Sequence, residues 1–136
     1  MRRFLLDTNV VSELRKPKPH GAVIAWWHSL SESQIFVSAV TLGELQAGIE
    51  RTRRHDAAKA GEIELWVDQL QAKTQILVMD SSCFREWARL MAGKSLQLAQ
   101  DGMIAATARV HSLVVATPNE TDFHHFGVPV LNPFQP

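Results

Sequence analysis

Short apolar runs, each stopped by small polar or acidic residues and followed by a helical pattern, constrain this chain more than any other feature. Phe4-Leu5-Leu6 is the first, ending at Asp7-Thr8-Asn9. Ile35-Phe36-Val37, Ile76-Leu77-Val78-Met79 and Leu113-Val114-Val115-Ala116 repeat the pattern, and a short strand over 128–131 closes it. Uninterrupted apolar runs of this length read as strands buried on both faces. Helices are expected over 10–14, 22–30, 40–53, 57–72, 81–92 and 99–111, with a last helical turn near 121–126. Residues 132–136 read as a tail. Strands alternating with helices from end to end predict an α/β fold, a three-layer α/β/α sandwich around a central parallel sheet.

At 136 residues and 46% hydrophobic, the chain is expected to fold as one domain over residues 1–136. Formal net charge is zero, so global charge neither argues for nor excludes a nucleic-acid partner. The lone Cys83 excludes an internal disulfide and a cysteine zinc cage. Met1-Arg2-Arg3 followed by an apolar run resembles the start of an export signal. That run ends at Asp7, short of the ~7–15 residues of such a segment. No stretch approaches the ~18–20 apolar residues of a membrane span. A reducing cytoplasm is therefore the expected location, with no membrane association.

Parallel topology brings strand ends, and the helices that follow them, to one sheet edge, where open α/β sheets bind ligands. Four acids share that address. Asp7 ends the first strand; a turn or cap residue is its ordinary role. Glu44 follows the second strand among small helical neighbours, either a solvated first-turn acid or a site acid. Asp101 lines up with Ile104, Ala105 and Ala108 on an inward face, so it is an N-cap or an acid held for a partner. Asp122 follows the fourth strand, with Glu120 as its rival. Asp80-Ser81-Ser82 reads as a plain N-cap. Carboxylates gathered at one point repel one another unless a cation sits among them. An oxygen-only set suits Mg²⁺ or Mn²⁺. Such an ion activates water and steadies charge on a phosphodiester, which points to phosphate-ester hydrolysis.

The chain resembles the PIN-domain nucleases, and within them the VapC-type toxins of bacterial toxin–antitoxin pairs, including the FitB-like branch. The resemblance lies in Leu6-Asp7-Thr8-Asn9, in Ser38-x-x-Thr41-x-Gly43-Glu44-Leu45-x-x-Gly48, in Asp101-Gly102-x-Ile104-Ala105-Ala106-Thr107-Ala108, and in Thr117-x-Asn119-x-x-Asp122-Phe123. The closing 127–134 segment is also similar. The resemblance implies a Mg²⁺- or Mn²⁺-dependent endoribonuclease, with Asp7, Glu44, Asp101 and Asp122 as catalytic and metal-holding acids. Thr8, Asn9, Thr117 and Asn119 are implied as polar support. An RNA substrate, a silencing VapB-type antitoxin and a homodimer are implied as partners. Members of the family often carry a basic residue where Pro118 stands, a departure that removes one possible contact.

Other readings are weaker. A phosphatase of the haloacid dehalogenase type would place a second acid at position 9, which is Asn. A nucleotide-binding module would need a Gly-rich loop after the first strand. A non-catalytic scaffold would not need all four acids. Adjacent His124 and His125 point apart and read as surface. Of the neighbouring Trp26 and Trp27, one is expected to face outward. Arg15, Lys16, Lys18, Arg51, Arg53 and Arg54 are either RNA-backbone contacts or solvated charges.

Overall fold

The computed structural model describes residues 1–135; Pro136, the last residue of the expected tail, lies outside them. In chain order the elements are β1 (Phe4–Leu6), α1 (Thr8–Arg15), α2 (Gly21–His28), β2 (Ile35–Ser38), α3 (Ala39–Arg53), α4 (Ala57–Lys73), β3 (Gln75–Leu77), α5 (Ser81–Met91), α6 (Ala99–His111), β4 (Val114–Ala116), α7 (Glu120–His124) and β5 (Val130–Leu131). The strands pair in parallel in the order β3-β2-β1-β4-β5. This is the expected α/β architecture. β1 lies at the centre, with Leu5 facing Phe36 and Val115 in register.

Alternate residues of the strands feed separate cores. Leu5, Phe36 and Val115 pack with Ile104, Ala105 and Ala108 of α6 and with Phe123 and Phe126. Phe4, Leu6, Ile35 and Val37 pack on the other face, against Val10, Val11, Trp26, Trp27, Leu42 and Leu70. Helices therefore cover both faces, and every strand runs toward the same edge. α5 and α6 lie unusually close at Gly102. A Cβ there would stand 2.7 Å from Met91 Sδ and 3.3 Å from the Trp87 ring. The missing side chain lets α6 dock deeply beside its own first turn, which carries Asp101.

Three local expectations fail. The third strand occupies Gln75–Leu77 rather than 76–79, and Val78 is 63% exposed. It is an edge strand with one neighbour, so half its surface is uncovered, and Val78-Met79 leaves the sheet to reach the start of α5. Helical spacing in the sequence places Phe84, Trp87, Ala88 and Met91 on the inner face of α5; Trp87 and Met91 are half-buried, but Phe84 and Ala88 are exposed. Cys83 and Leu90 join Trp87 and Met91 on the inner stripe in their place. Neither Trp26 nor Trp27 faces fully outward. Both are half-buried; Trp26 meets Phe4 edge-on at 5.3 Å, and Trp27 lines a groove between α2 and α4.

Candidate functional site

The carboxyl edge of the sheet gathers all four acids. Asp7 occupies the position before α1 yet caps nothing. Its buried side chain turns instead to Thr117, whose hydroxyl donates to Asp7 Oδ2 at 2.8 Å. Asn9 Nδ2 approaches the same oxygen at 3.4 Å. The backbone fixes this contact, because the Asp7 amide donates to Ala116 at 2.9 Å and the Thr117 amide to Leu131 at 2.9 Å. Burial raises the Asp7 carboxyl above its usual range, against the hydrogen bonds from Thr117, Thr8 and Asn9, with Glu44 adding repulsion.

Glu44 sits in the second turn of α3. The Thr8 hydroxyl donates to its Oε1 at 2.9 Å and lies 3.1 Å from the Thr41 hydroxyl. Burial pushes the Glu44 carboxyl up, Thr8 opposes this, and Asp101 adds repulsion.

Asp101 is the third residue of α6, whose N-cap position is Leu98, so the N-cap reading fails. Burial first, then the charges of Asp7 and Asp122, push its carboxyl up to about 6. Asn119 reaches two acids with one amide group. Its Nδ2 stands 2.9 Å from Asp122 Oδ2 and 3.4 Å from Asp101 Oδ2. Asn119 is itself held by its backbone amide, which donates to Thr117 Oγ1 at 2.9 Å. Glu120, the rival of Asp122, turns toward Asn132 Nδ2 at 3.4 Å. Asp80 caps α5 by accepting from the Cys83 amide at 2.9 Å.

All four expected site acids and all four expected supporting residues thus meet at one edge. Thr41 also belongs there and was visible only as a motif letter; it stands one turn before Glu44 and is fully buried. His124 and His125 are exposed on α7.

The acids fit a hard cation in charge and donor type. Among the described residues none of the four pairs with a Lys, Arg or His. Their donors are all oxygen, the preference of Mg²⁺ and Mn²⁺ over softer metals. Among the described residues no three such side chains close on one point at ligand spacing. Thr8, Thr117 and Asn119 hydrogen-bond to them and fix where their oxygens point.

An α/β fold of this strand order with acids at its carboxyl edge serves more than one class of protein, and comparison with known proteins is more specific. The PIN domain family matches residues 4–129, so the chain belongs to the PIN-domain family. It is 36% identical to VapC ribonuclease Y4jK of Sinorhizobium fredii, over 98% of this chain and 99% of that protein. It is 34% identical to toxin FitB of Neisseria gonorrhoeae, over 96% and 98% respectively. The crystal structure of FitAcB from Neisseria gonorrhoeae superposes with a TM-score of 0.88 at 34% identity, covering 98% of this chain and 99% of that one.

Proposed function

We propose that this protein is a Mg²⁺- or Mn²⁺-dependent endoribonuclease acting as the toxin of a toxin–antitoxin pair. One observation carries the reading: Asp7, Glu44, Asp101 and Asp122 converge on one sheet edge, held by Thr8, Thr117 and Asn119, and among the described residues no cationic side chain pairs with any of them. Relatives named as a VapC ribonuclease and as toxin FitB support the activity and the toxin role. The structural neighbour FitAcB, and FitAB bound to a DNA fragment, support a small antitoxin as the partner. The family resemblance adds a homodimer, which sedimentation of the purified chain tests.

In this reading Asp7, Glu44, Asp101 and Asp122 hold the ion. A Mg²⁺ or Mn²⁺ held there would make a water more acidic and offset charge on the scissile phosphodiester. Thr117 keeps the Asp7 carboxylate turned toward the site. Thr8 holds Glu44 on the same side, and Asn119 spaces Asp101 from Asp122. In this reading the substrate is RNA and the place of action the cytoplasm. Among the described residues no helix is long and apolar enough to cross a membrane.

The test is cleavage of a pooled tRNA and rRNA substrate by protein freed of any antitoxin, with Mg²⁺ or Mn²⁺ against EDTA. Wild type cuts only with metal, and Asp7→Asn cuts at least ~100-fold more slowly while remaining folded. Cleavage that persists in EDTA, or in folded Asp7→Asn and Asp101→Asn alike, overturns the proposal.

A further inference from the structure

A groove beside the acids carries an arrangement that the acid site does not use. Its walls are α1 and α3, which leave the same sheet edge after adjacent strands. Thr8, Ser12 and Arg15 contribute from α1; Glu44, Gly48 and Arg51 contribute from α3. The spacing is identical on both helices. Arg15 lies seven residues after Thr8, and Arg51 seven residues after Glu44. Seven residues bring a helix back to nearly the same face about 10 Å further along its axis. Each wall therefore starts at a site residue, Thr8 bonded to Glu44, and ends in a guanidinium two turns away. Gln100, next to Asp101, lines it as well, together with the apolar Leu45, Ile49 and Ile63.

Ion pairing removes two of the six basic candidates, and of the four left only Arg15 and Arg51 line this groove. Arg53 is bound to Glu50 at 3.0 Å and Glu64 at 2.9 Å, and Lys16 to Glu13 at 2.9 Å. Among the described residues neither Arg15 nor Arg51 has a carboxylate at ion-pair distance. Arg51 lies back over Gly48, its Nη2 3.6 Å from where a Cβ would stand. The groove is about 390 Å³. It runs from Glu44, one of the four acids, to two free planar cations, which suits a chain carrying a phosphate at each repeat.

We propose that this α1/α3 groove is the subsite for the single-stranded RNA backbone flanking the scissile bond, with Arg15 and Arg51 gripping a neighbouring phosphate. The inference builds on the nuclease reading, because it takes the acid cluster as the place where the bond is cut. With the acid cluster taken as the cation-holding cutting centre, a groove that leaves it at Thr8 and Glu44 and passes two arginines follows the path of an RNA backbone away from the cut bond, which favours RNA over an acidic protein segment.

The experiment measures binding of a fluorescein-labelled, mixed-sequence, single-stranded RNA by anisotropy across a KCl series. It uses the Asp101→Asn protein, in which cutting is suppressed, with and without Arg15→Gln plus Arg51→Gln. Both arginines are on the surface, and a melting curve verifies folding. The double substitution weakens binding by roughly tenfold and reduces the slope of log affinity against log salt by about 1.4, while Arg15→Lys plus Arg51→Lys restores most of both. Unchanged affinity and slope, or no RNA binding by the parent protein, overturns the subsite. So does a loss of affinity for an acidic peptide alone, which would make the groove a protein contact. Pool cleavage by wild type is scored separately. Cleavage with an unchanged slope removes the subsite and leaves the nuclease; the expected slope change without any cleavage leaves the groove and removes the nuclease.

Discussion

Asp101 on α6 and Glu86 on α5 are carboxylates beside opposite ends of the same helix, and their surroundings differ in sign. Glu86 accepts from Arg109 Nε at 2.6 Å and from Arg89 Nε at 3.0 Å. Arg109, then Arg89, hold its carboxyl below the usual range. Arg109 also donates to the Gly127 carbonyl at 3.0 Å, tying α6 to the loop before β5. Asp101 has no cation, only Asp7, Glu44 and Asp122, and sits well above the usual range. At Glu86 the chain supplies the counter-charge from its own residues and gains a structural link. At Asp101 it leaves the charge uncompensated, a cost to the fold that the proposed cation would relieve.

The comparison breaks if both acids respond alike to substitution. Asp101→Asn is the largest expected effect. RNA cleavage falls by ~100-fold or more, while the metal-free protein becomes more stable at neutral pH by about 1 kcal/mol, a figure discounted for the half-exposed carboxylate. Activity assays and denaturant melts read the two changes, which have opposite signs. Thr117→Val comes next. It takes the donor from the buried Asp7 carboxylate, lowering cleavage by ~10–100-fold and stability by about 1–3 kcal/mol. Glu86→Gln is the smallest: urea melts show a loss of no more than about 1 kcal/mol, since Arg89 and Arg109 are largely exposed, and cleavage is unchanged.

The pH dependence sharpens the same contrast. Asp101 is raised, so its cost is absent below the ordinary value of 3.8 and grows as pH rises through about 6. Glu86 is lowered, so its contribution is full above the ordinary value of 4.5 and fades as pH falls. Metal-free Asp101→Asn should therefore differ from wild type in melting temperature most above pH 6. Glu86→Gln should differ least in acid.

Much of this was legible in the sequence, for a physical reason. A buried parallel strand must be apolar along its whole length, so the polar residue that stops it marks the sheet edge. Asp7 and the helix after it followed from that rule. The inward face of 101–108 is written in small residues. What sequence could not supply was partners distant along the chain. Thr8 meets Glu44 across 36 positions and Thr117 meets Asp7 across 110. Those contacts, rather than any local motif, separate an acid that caps from one that does not. Asp7 and Asp80 both precede helices, and only Asp80 caps. The same limit explains Phe84 and Val78. Period and apolarity assign a residue to a face, but whether another element covers that face is decided elsewhere. Basic residues were likewise indistinguishable until Glu50, Glu64 and Glu13 claimed Arg53 and Lys16.

The most direct measurement is the melting temperature with and without Mn²⁺ at about pH 5 and about pH 7.5, for wild type, Asp101→Asn and Glu86→Gln. The account predicts that Mn²⁺ raises the melting point of wild type and Glu86→Gln, more so at the higher pH where Asp101 is ionised. At a hundred times the dissociation constant the gain is about 2.7 kcal/mol. Asp101→Asn, already relieved of its charge, should gain little. An equal Mn²⁺ shift in Asp101→Asn, or none in wild type, would contradict it.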